Sequence, residues 1–376
     1  MANLSLLHQS NLFIMNFNIP VYRPSLNGNE FKYVSDCLNS TRISSKGPYI
    51  DKFENDFSDF LKMKYSTTVS NGTVALHLAF LCLGIKEGDE VIVPTLTYIA
   101  SVNAISYVGA KPIFVDADPL TWNIDVEAIE SRISKKTKAI IIVHLYGACC
   151  DMDRINYLCK KHDIFLIEDV AEAFGSKYKN KFAGTFGDIA TFSFFGNKTI
   201  TTGEGGMVVT NNKFLYEKAK FLKSQAVSVK KEYWHDEIGF NYRMTNLTAA
   251  IGVAQLERAN EIIHKKRQLL EIYKNELYGL PIKFQNEDEK SFNTYWMISI
   301  IVENENIRDL IREELRLNSV ETRPFFPPAN IMPVFYTDEI FPIALNLSKI
   351  GINLPSYPDL SKGEVEFICA IIKKIF

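Results

Sequence analysis

The chain has 376 residues, 47% of them hydrophobic and 23% charged, enough to bury a large core and to divide into two domains. Its formal net charge of -2 supplies no field that would draw in nucleic acid or an anionic membrane surface. No apolar run reaches the roughly 18 residues that span a bilayer, and the apolar patch within residues 1–15 has neither a preceding Lys or Arg nor a small-residue cleavage site, so it does not read as a signal peptide.

The organised pattern begins near Ile19, which makes Met15 a candidate start and residues 1–18 an N-terminal extension. Cys37, Cys82, Cys149, Cys150, Cys159 and Cys369 form no C-x-x-C pair and no Cys/His cluster with zinc-ligand spacing. They are expected to be free thiols in a reducing cytoplasm, with no metal site, and the adjacent Cys149 and Cys150 read as small buried hydrophobes.

From Tyr65 to Thr210, short β-rich runs alternate with helical stretches, the pattern of a mainly parallel sheet covered by helices on both faces. The strands are predicted at residues 66–70, 90–94, 112–115, 138–143, 164–168, 189–194 and 206–210, about seven in all. Helices are predicted at 73–83, 99–108 and 152–162, each following a strand end, where open α/β sheets place their ligand sites. From about Ala259 the character changes. A helical stretch over 248–277 leads to a β-rich piece at 295–302, a helix at 306–315, a Pro-rich loop at 324–333 and a terminal helix at 362–375. The expected division is a large α/β domain over 19–258 and a smaller α+β domain over 259–376.

Lys198 lies in Ser193-Phe-Phe-Gly-Asn-Lys-Thr-Ile-Thr-Thr-Gly-Glu-Gly-Gly206. A strand end flanked by aromatics and glycines desolvates an amine and lowers its pKa, which makes it a nucleophile able to form an imine. A surface lysine in a Gly-rich loop fits the same residues. In Ile167-Glu-Asp-Val-Ala-Glu-Ala-Phe-Gly175, an acid at a strand's carboxyl end can keep the pyridine nitrogen of pyridoxal 5'-phosphate (PLP) protonated, so that the ring acts as an electron sink. Asp169 suits that role and Glu172 could reach the phenolic oxygen, although acidic residues also favour a helix's first turn. Val69-Ser-Asn-Gly-Thr-Val-Ala-Leu76 turns a strand through Gly72 into a helix whose first amides, with the Thr73 hydroxyl, can cradle a phosphate. Tyr98, after the strand in Val93-Pro-Thr-Leu-Thr-Tyr98, can stack on a flat ring or serve as a core aromatic.

Taken in this order, the segments resemble the sugar aminotransferases of the DegT/DnrJ/EryC1/StrS family within the fold-type I PLP enzymes, over nearly the whole chain from Ile19. The segments at 168–174 and 193–206 are most similar to GDP-perosamine synthases. The resemblance implies that Lys198 is the imine-forming lysine, Asp169 the pyridinium partner, Glu172 a contact of the phenolic oxygen and Tyr98 the stacking ring. It further implies a phosphate held by Gly72, Thr73 and Ser193 and, from the neighbouring subunit, by Asn241, hence a homodimer with shared sites. Tyr22, Arg23, Lys46, Tyr49, Arg243, Arg323 and Phe325 are implied contacts of a nucleotide-linked keto sugar, with glutamate as amino donor. Where relatives place a histidine near the sugar, and a tyrosine before it, this chain has Asn330 and Pro327. The expected reaction is amination at C4 of a GDP-linked 4-keto-6-deoxy sugar. Rival readings are the same chemistry on a UDP- or dTDP-linked sugar, a PLP dehydratase, in which relatives carry histidine at the lysine position, and a non-catalytic PLP-fold regulator.

Overall fold

The computed structural model describes residues 17–376; the apolar patch and the candidate start at Met15 lie outside them. In chain order the first elements are α1 (Glu30–Asn39), α2 (Pro48–Leu61), β1 (Tyr65–Val69), α3 (Gly72–Leu83), β2 (Glu90–Pro94), α4 (Ala100–Tyr107), β3 (Lys111–Val115), α5 (Val126–Ile129), β4 (Thr137–Val143), α6 (Met152–His162) and β5 (Phe165–Asp169). The short hairpin β6 (Lys177–Tyr178) and β7 (Lys181–Phe182) precedes β8 (Ile189–Ser193), β9 (Gly206–Thr210) and α7 (Lys213–Lys223). Then come α8 (Asn246–Glu257), α9 (Ala259–Glu276), β10 (Lys283–Phe284), β11 (Ser291–Phe292), β12 (Ile298–Ile301), α10 (Glu305–Leu317), β13 (Arg323–Pro324), α11 (Pro342–Ile350), β14 (Gly351–Leu354) and α12 (Lys362–Lys373).

Seven strands form one sheet in the order β1-β9-β8-β5-β4-β2-β3. All run parallel except β9, which pairs antiparallel with both β1 and β8. The predicted strands match these within one or two residues, because a strand buried on both faces is an unbroken apolar run with sharp polar ends. Two apolar clusters cover the two faces. One gathers α3, α4 and α7 around Val91, Val93, Ile141 and Ile167, and the other gathers α2, α6 and α8 around Ile92, Ile140, Ile142 and Phe192. Local signals set the helix ends. Asn71 accepts the Val74 amide at the start of α3, Asp151 accepts two amides of α6, and Gly84 closes α3 in a left-handed turn.

The long helix expected over 248–277 is two helices. The backbone leaves helical geometry at Arg258 (φ -104°, ψ 6°), whose guanidinium donates to the Ser25 carbonyl at 3.2 Å and to Glu261 at 3.0 Å. The long-range bond to Ser25 falls at the break in a run whose local propensity is helical throughout. Beyond it, a four-stranded sheet ordered β10-β12-β14-β13 packs with α9, α10 and α12 around a third apolar cluster, which also takes in Ile19 through a bridge to Val320. The helices α1, α2, α7 and α11 carry weaker signals than the sheet and were not among the predicted elements.

Candidate active site

A cleft of about 530 Å³ opens at the carboxyl ends of β1, β2, β4, β5 and β8, and Gly72, Thr73, Tyr98, Asp169, Glu172, Ser193 and Lys198 all line it. Seven predicted residues drawn from four separate segments therefore share one concavity, at the edge of the sheet where such ligand sites belong.

Asp169 ends β5 with its carboxylate buried. The Ser101 hydroxyl donates to Oδ2 at 2.7 Å and the Ala171 amide to Oδ1 at 3.0 Å. Burial raises this carboxyl above its ordinary range, against the opposing pull of those two donors and of Lys198. Glu172 accepts the Tyr146 amide at 2.8 Å, and burial pushes its carboxyl up to about 7. Lys198 sits on the turn after β8, its amine drawn below the usual lysine value by burial and partly restored by Glu172 and Asp169. An amine and two carboxyl groups thus face one space, each shifted toward its neutral form.

The other end of the cleft is built from backbone. Asn71 caps the Val74 amide at 3.0 Å, leaving the amides of Gly72 and Thr73 to be satisfied from outside α3. A β-carbon on Gly72 would stand 2.7 Å from the Ser193 Cβ, and one on Gly206 would stand 2.6 Å from the Asn71 carbonyl oxygen. Both glycines let β8, β9 and the start of α3 close up, which brings the Ser193 hydroxyl beside the helix end. Tyr98 is 56% exposed at the rim, its ring 5.6 Å from that of Phe326, and so is open to a flat ligand.

The remaining predicted residues fall elsewhere. Tyr22 and Arg23 line a small cavity behind Lys198, which Lys198 also borders; Arg23 is exposed, its guanidinium 4.7 Å from the Tyr357 ring centroid. Lys46 is exposed, and the Tyr49 hydroxyl donates to Asp36 at 2.9 Å in a separate groove. Arg243 donates from Nε and Nη2 to Asn241 Oδ1 at 3.1 and 2.9 Å. Both residues lie outside the cleft walls, at the neck of residues 225–240. That neck is tied by Gln225 N to Phe240 O, Phe240 N to Leu222 O and Tyr242 N to Lys223 O. Arg323 is exposed and ion-paired with Glu321.

Phe325 requires a correction. It is 2% exposed, wedged between Trp122 and Tyr146 at 5.1 and 4.7 Å, and a β-carbon on Gly351 would collide with its ring; the ring that reaches the cleft is its neighbour, Phe326. Asn330 also does not face the cleft. It is buried, accepting from Thr95 Oγ1 at 2.8 Å and donating to the Glu339 carbonyl at 3.1 Å. Its amide pins the Pro-rich loop to the end of β2.

Three contributors escaped the reading of the sequence. Ser101 lies three residues beyond Tyr98, in the first turn of α4, a nearness in sequence that could have flagged it. Tyr146 and Trp296 give no local signal, since both reach the site only through tertiary packing.

A model of the DegT/DnrJ/EryC1/StrS aminotransferase family matches residues 24–373. The chain belongs to this family. It is a PLP-dependent sugar aminotransferase. It is 57% identical over 359 residues to a GDP-perosamine synthase of Escherichia coli O157:H7, covering 95% of this chain and 98% of that one. To a GDP-perosamine synthase of Vibrio cholerae it is 52% identical over 363 residues, covering 95% and 99%. Among solved structures, an aminotransferase from Psychrobacter cryohalolentis superposes with a TM-score of 0.89 at 30% identity, over 94% of this chain and 98% of that one. A Streptococcus pneumoniae protein solved in a PLP form gives 0.91 at 28% identity, over 96% and 100%.

The side chains suit that cofactor. A helix N-terminus with two amides to spare is set for a phosphate, a buried amine for a carbonyl carbon, and a buried carboxylate for a ring nitrogen. Among the described residues no three His, Cys, Asp or Glu side chains gather as a metal site, and no helix is long and apolar enough to cross a membrane.

Proposed function

We propose that this aminotransferase moves an amino group from glutamate to C4 of GDP-4-keto-6-deoxymannose, forming GDP-perosamine. What carries the reading is the near-full-length likeness to two GDP-perosamine synthases in a chain whose cleft gathers Lys198, Asp169 and Glu172.

Lys198 would hold the cofactor's carbonyl carbon, Asp169 its ring nitrogen and Glu172 its phenolic oxygen, with Tyr98 along the ring. The amides of Gly72 and Thr73, with the Ser193 hydroxyl, would hold the phosphate. Bound PLP supplies an electron sink for the electrons left when a proton leaves the carbon bearing the amino group. Lys198 Nζ, held below its usual basicity by burial, is the base that removes the α-proton of glutamate and the acid that delivers a proton to C4 of the sugar. Asp169, which Ser101 and the Ala171 amide draw back toward its ionised form against burial, retains the ring proton through both halves. Glu172 and the aromatic walls exclude water from the amine.

The working form is a cytoplasmic homodimer, in which Asn241 of each chain reaches the phosphate site of the other. Tyr22, Arg23, Lys46, Tyr49, Arg243 and Arg323 would meet the nucleotide sugar across that interface. The chain divides at residues 258/259 into a cofactor-binding part and a smaller C-terminal part, the point where Arg258 interrupts the helix.

The test is amino transfer from glutamate to a panel of GDP-, UDP- and dTDP-linked 4-keto-6-deoxy sugars, with Lys198→Ala as control. A GDP-linked amino sugar is the expected product, absent with the variant. Preference for a UDP or dTDP sugar would overturn the substrate, and turnover by Lys198→Ala would overturn the site.

A further inference from the structure

Trp296 reaches Lys198 from a part of the chain that holds no other cleft-lining residue except Phe326. The Lys198 Nζ lies 4.0 Å from the centroid of the indole ring, and the indole Nε1–H donates to the Asn197 carbonyl at 2.7 Å. One side chain therefore grips both ends of the lysine, the peptide that precedes it and the amine at its tip. Trp296 is buried, and it is fixed from behind. Its ring lies 19° from parallel to Tyr146 at 6.2 Å. Tyr146 donates its amide to Glu172, and its hydroxyl accepts the Phe326 amide at 3.1 Å.

The backbone pins these pieces together. Tyr146 (φ 54°) and Tyr295 (φ 51°) both sit in the left-handed region, which bulky residues adopt only when their surroundings force it. The two bends meet at Gly147, where a β-carbon would stand 2.6 Å from the Tyr295 nitrogen and 2.8 Å from the Trp296 nitrogen. The distance between the Glu172 anchor and the Lys198 plate is thereby fixed by main chain against main chain.

We propose that Trp296 is a positioning residue, a docking face that holds the free, charged amine of Lys198 whenever that lysine is not bonded to the cofactor. The proposal rests on the reading of Lys198 as the working amine. A protonated amine over an indole face is held by the ring's quadrupole, most strongly for tryptophan and more so when water is excluded. On losing its proton the amine loses that attraction and is released toward the cleft. The ring thus acts as a detent whose grip depends on the proton the lysine carries.

Other titratable groups line the two cavities that Lys198 borders. In the cleft these are Asp169, Glu172 and Glu204, with the phenols of Tyr98 and Tyr107. Behind it lie Arg23 and Lys266, with the phenols of Tyr22 and Tyr357. Burial lowers the amine's basicity, while Glu172 and Asp169 raise it. A change confined to the indole leaves all of these in place.

The experiment uses the full-length, cofactor-free protein, with tryptophan replaced biosynthetically by mono- and multiply fluorinated analogues that weaken the ring quadrupole at nearly constant shape. Lys198 acylation is followed against pH by peptide mass spectrometry, and the midpoint of the profile is read separately from its amplitude. The midpoint should fall stepwise with fluorination, by about half to one pH unit in all, so that the neutral fraction below the midpoint rises about three- to tenfold. Trp296→Leu should lower it in the same direction, and Trp296→Phe, which keeps an aromatic face, should lower it less. A midpoint that stays put across the fluorinated series overturns the proposal, even where Trp296→Leu fails to fold. A normal, indole-dependent profile in an enzyme whose Lys198→Ala variant still turns over would instead leave the docking face standing and remove the function assigned to the lysine.

Discussion

Replacing Ser101 with alanine deletes one hydrogen bond from the Asp169 carboxylate and a longer one, 3.3 Å, shared with the Thr97 hydroxyl. The hydroxyl donates to Oδ2 at 2.7 Å, and the other donor is the Ala171 amide at 3.0 Å on Oδ1. A hydrogen bond to a buried charged group contributes about 1.5–3 kcal/mol, which corresponds to roughly one to two pKa units. Burial already raises Asp169, and Ser101 opposes that shift, so its loss moves the carboxyl further up. Less of the ionised form then remains to hold the ring proton. The acid limb of the amino-transfer rate should move upward by about one to two pH units, costing roughly tenfold or more on that limb, while the rate on the alkaline side stays close to wild type. The assay is initial rate against pH with glutamate and keto sugar both saturating, alongside a melting curve to check the fold. A uniform loss at every pH, with the limb in place, would refute the reasoning.

Glu172→Gln should alter how the stability of the cofactor-free chain depends on pH. The folded-state pKa of Glu172 is raised by burial from the ordinary 4.5 to about 7. Its contribution is therefore fully present below about 4.5 and is lost as pH rises through about 7. The variant should lose less stability over that window than the wild type in denaturant unfolding, and parallel curves would contradict the shift. Gly206→Ala places a β-carbon 2.6 Å from the Asn71 oxygen and 3.0 Å from the Phe192 oxygen, both main chain. It should cost about 1–3 kcal/mol of stability and loosen the helix end, seen as a lower melting temperature and faster loss of PLP on dialysis.

The sheet was legible because its strands are apolar runs with polar ends, such as Glu90–Pro94, and because the helices that begin at Gly72 and Met152 are capped locally by Asn71 and Asp151. Lys198, Asp169 and Gly72 stood out since each sits at the end of such a run, where topology alone brings strand ends together. Trp296 and Tyr146 did not, because nothing local in residues 295–296 or 146–147 announces that the two bends pack against each other. Phe325 and Phe326 show the same limit at finer grain: adjacent and chemically identical, one is core and the other faces the cleft, and only the contacts of Trp122 and Gly351 decide between them. Arg258 ends a helix for the sake of a carbonyl more than two hundred residues away.

The neck at residues 222–226 and 240–242 carries one more consequence. Lys223, which ends α7, donates to Glu54 at 3.1 Å and to the Thr68 carbonyl at 2.7 Å, and the Ser70 amide reaches the Tyr242 carbonyl at 2.8 Å. The excursion between them is thus riveted at its root to the strand that leads into the helix-end cradle, while its tip exposes Val229, Tyr233 and Ile238. The tip can therefore change in length or composition without disturbing the root, and the cradle beneath it keeps its shape.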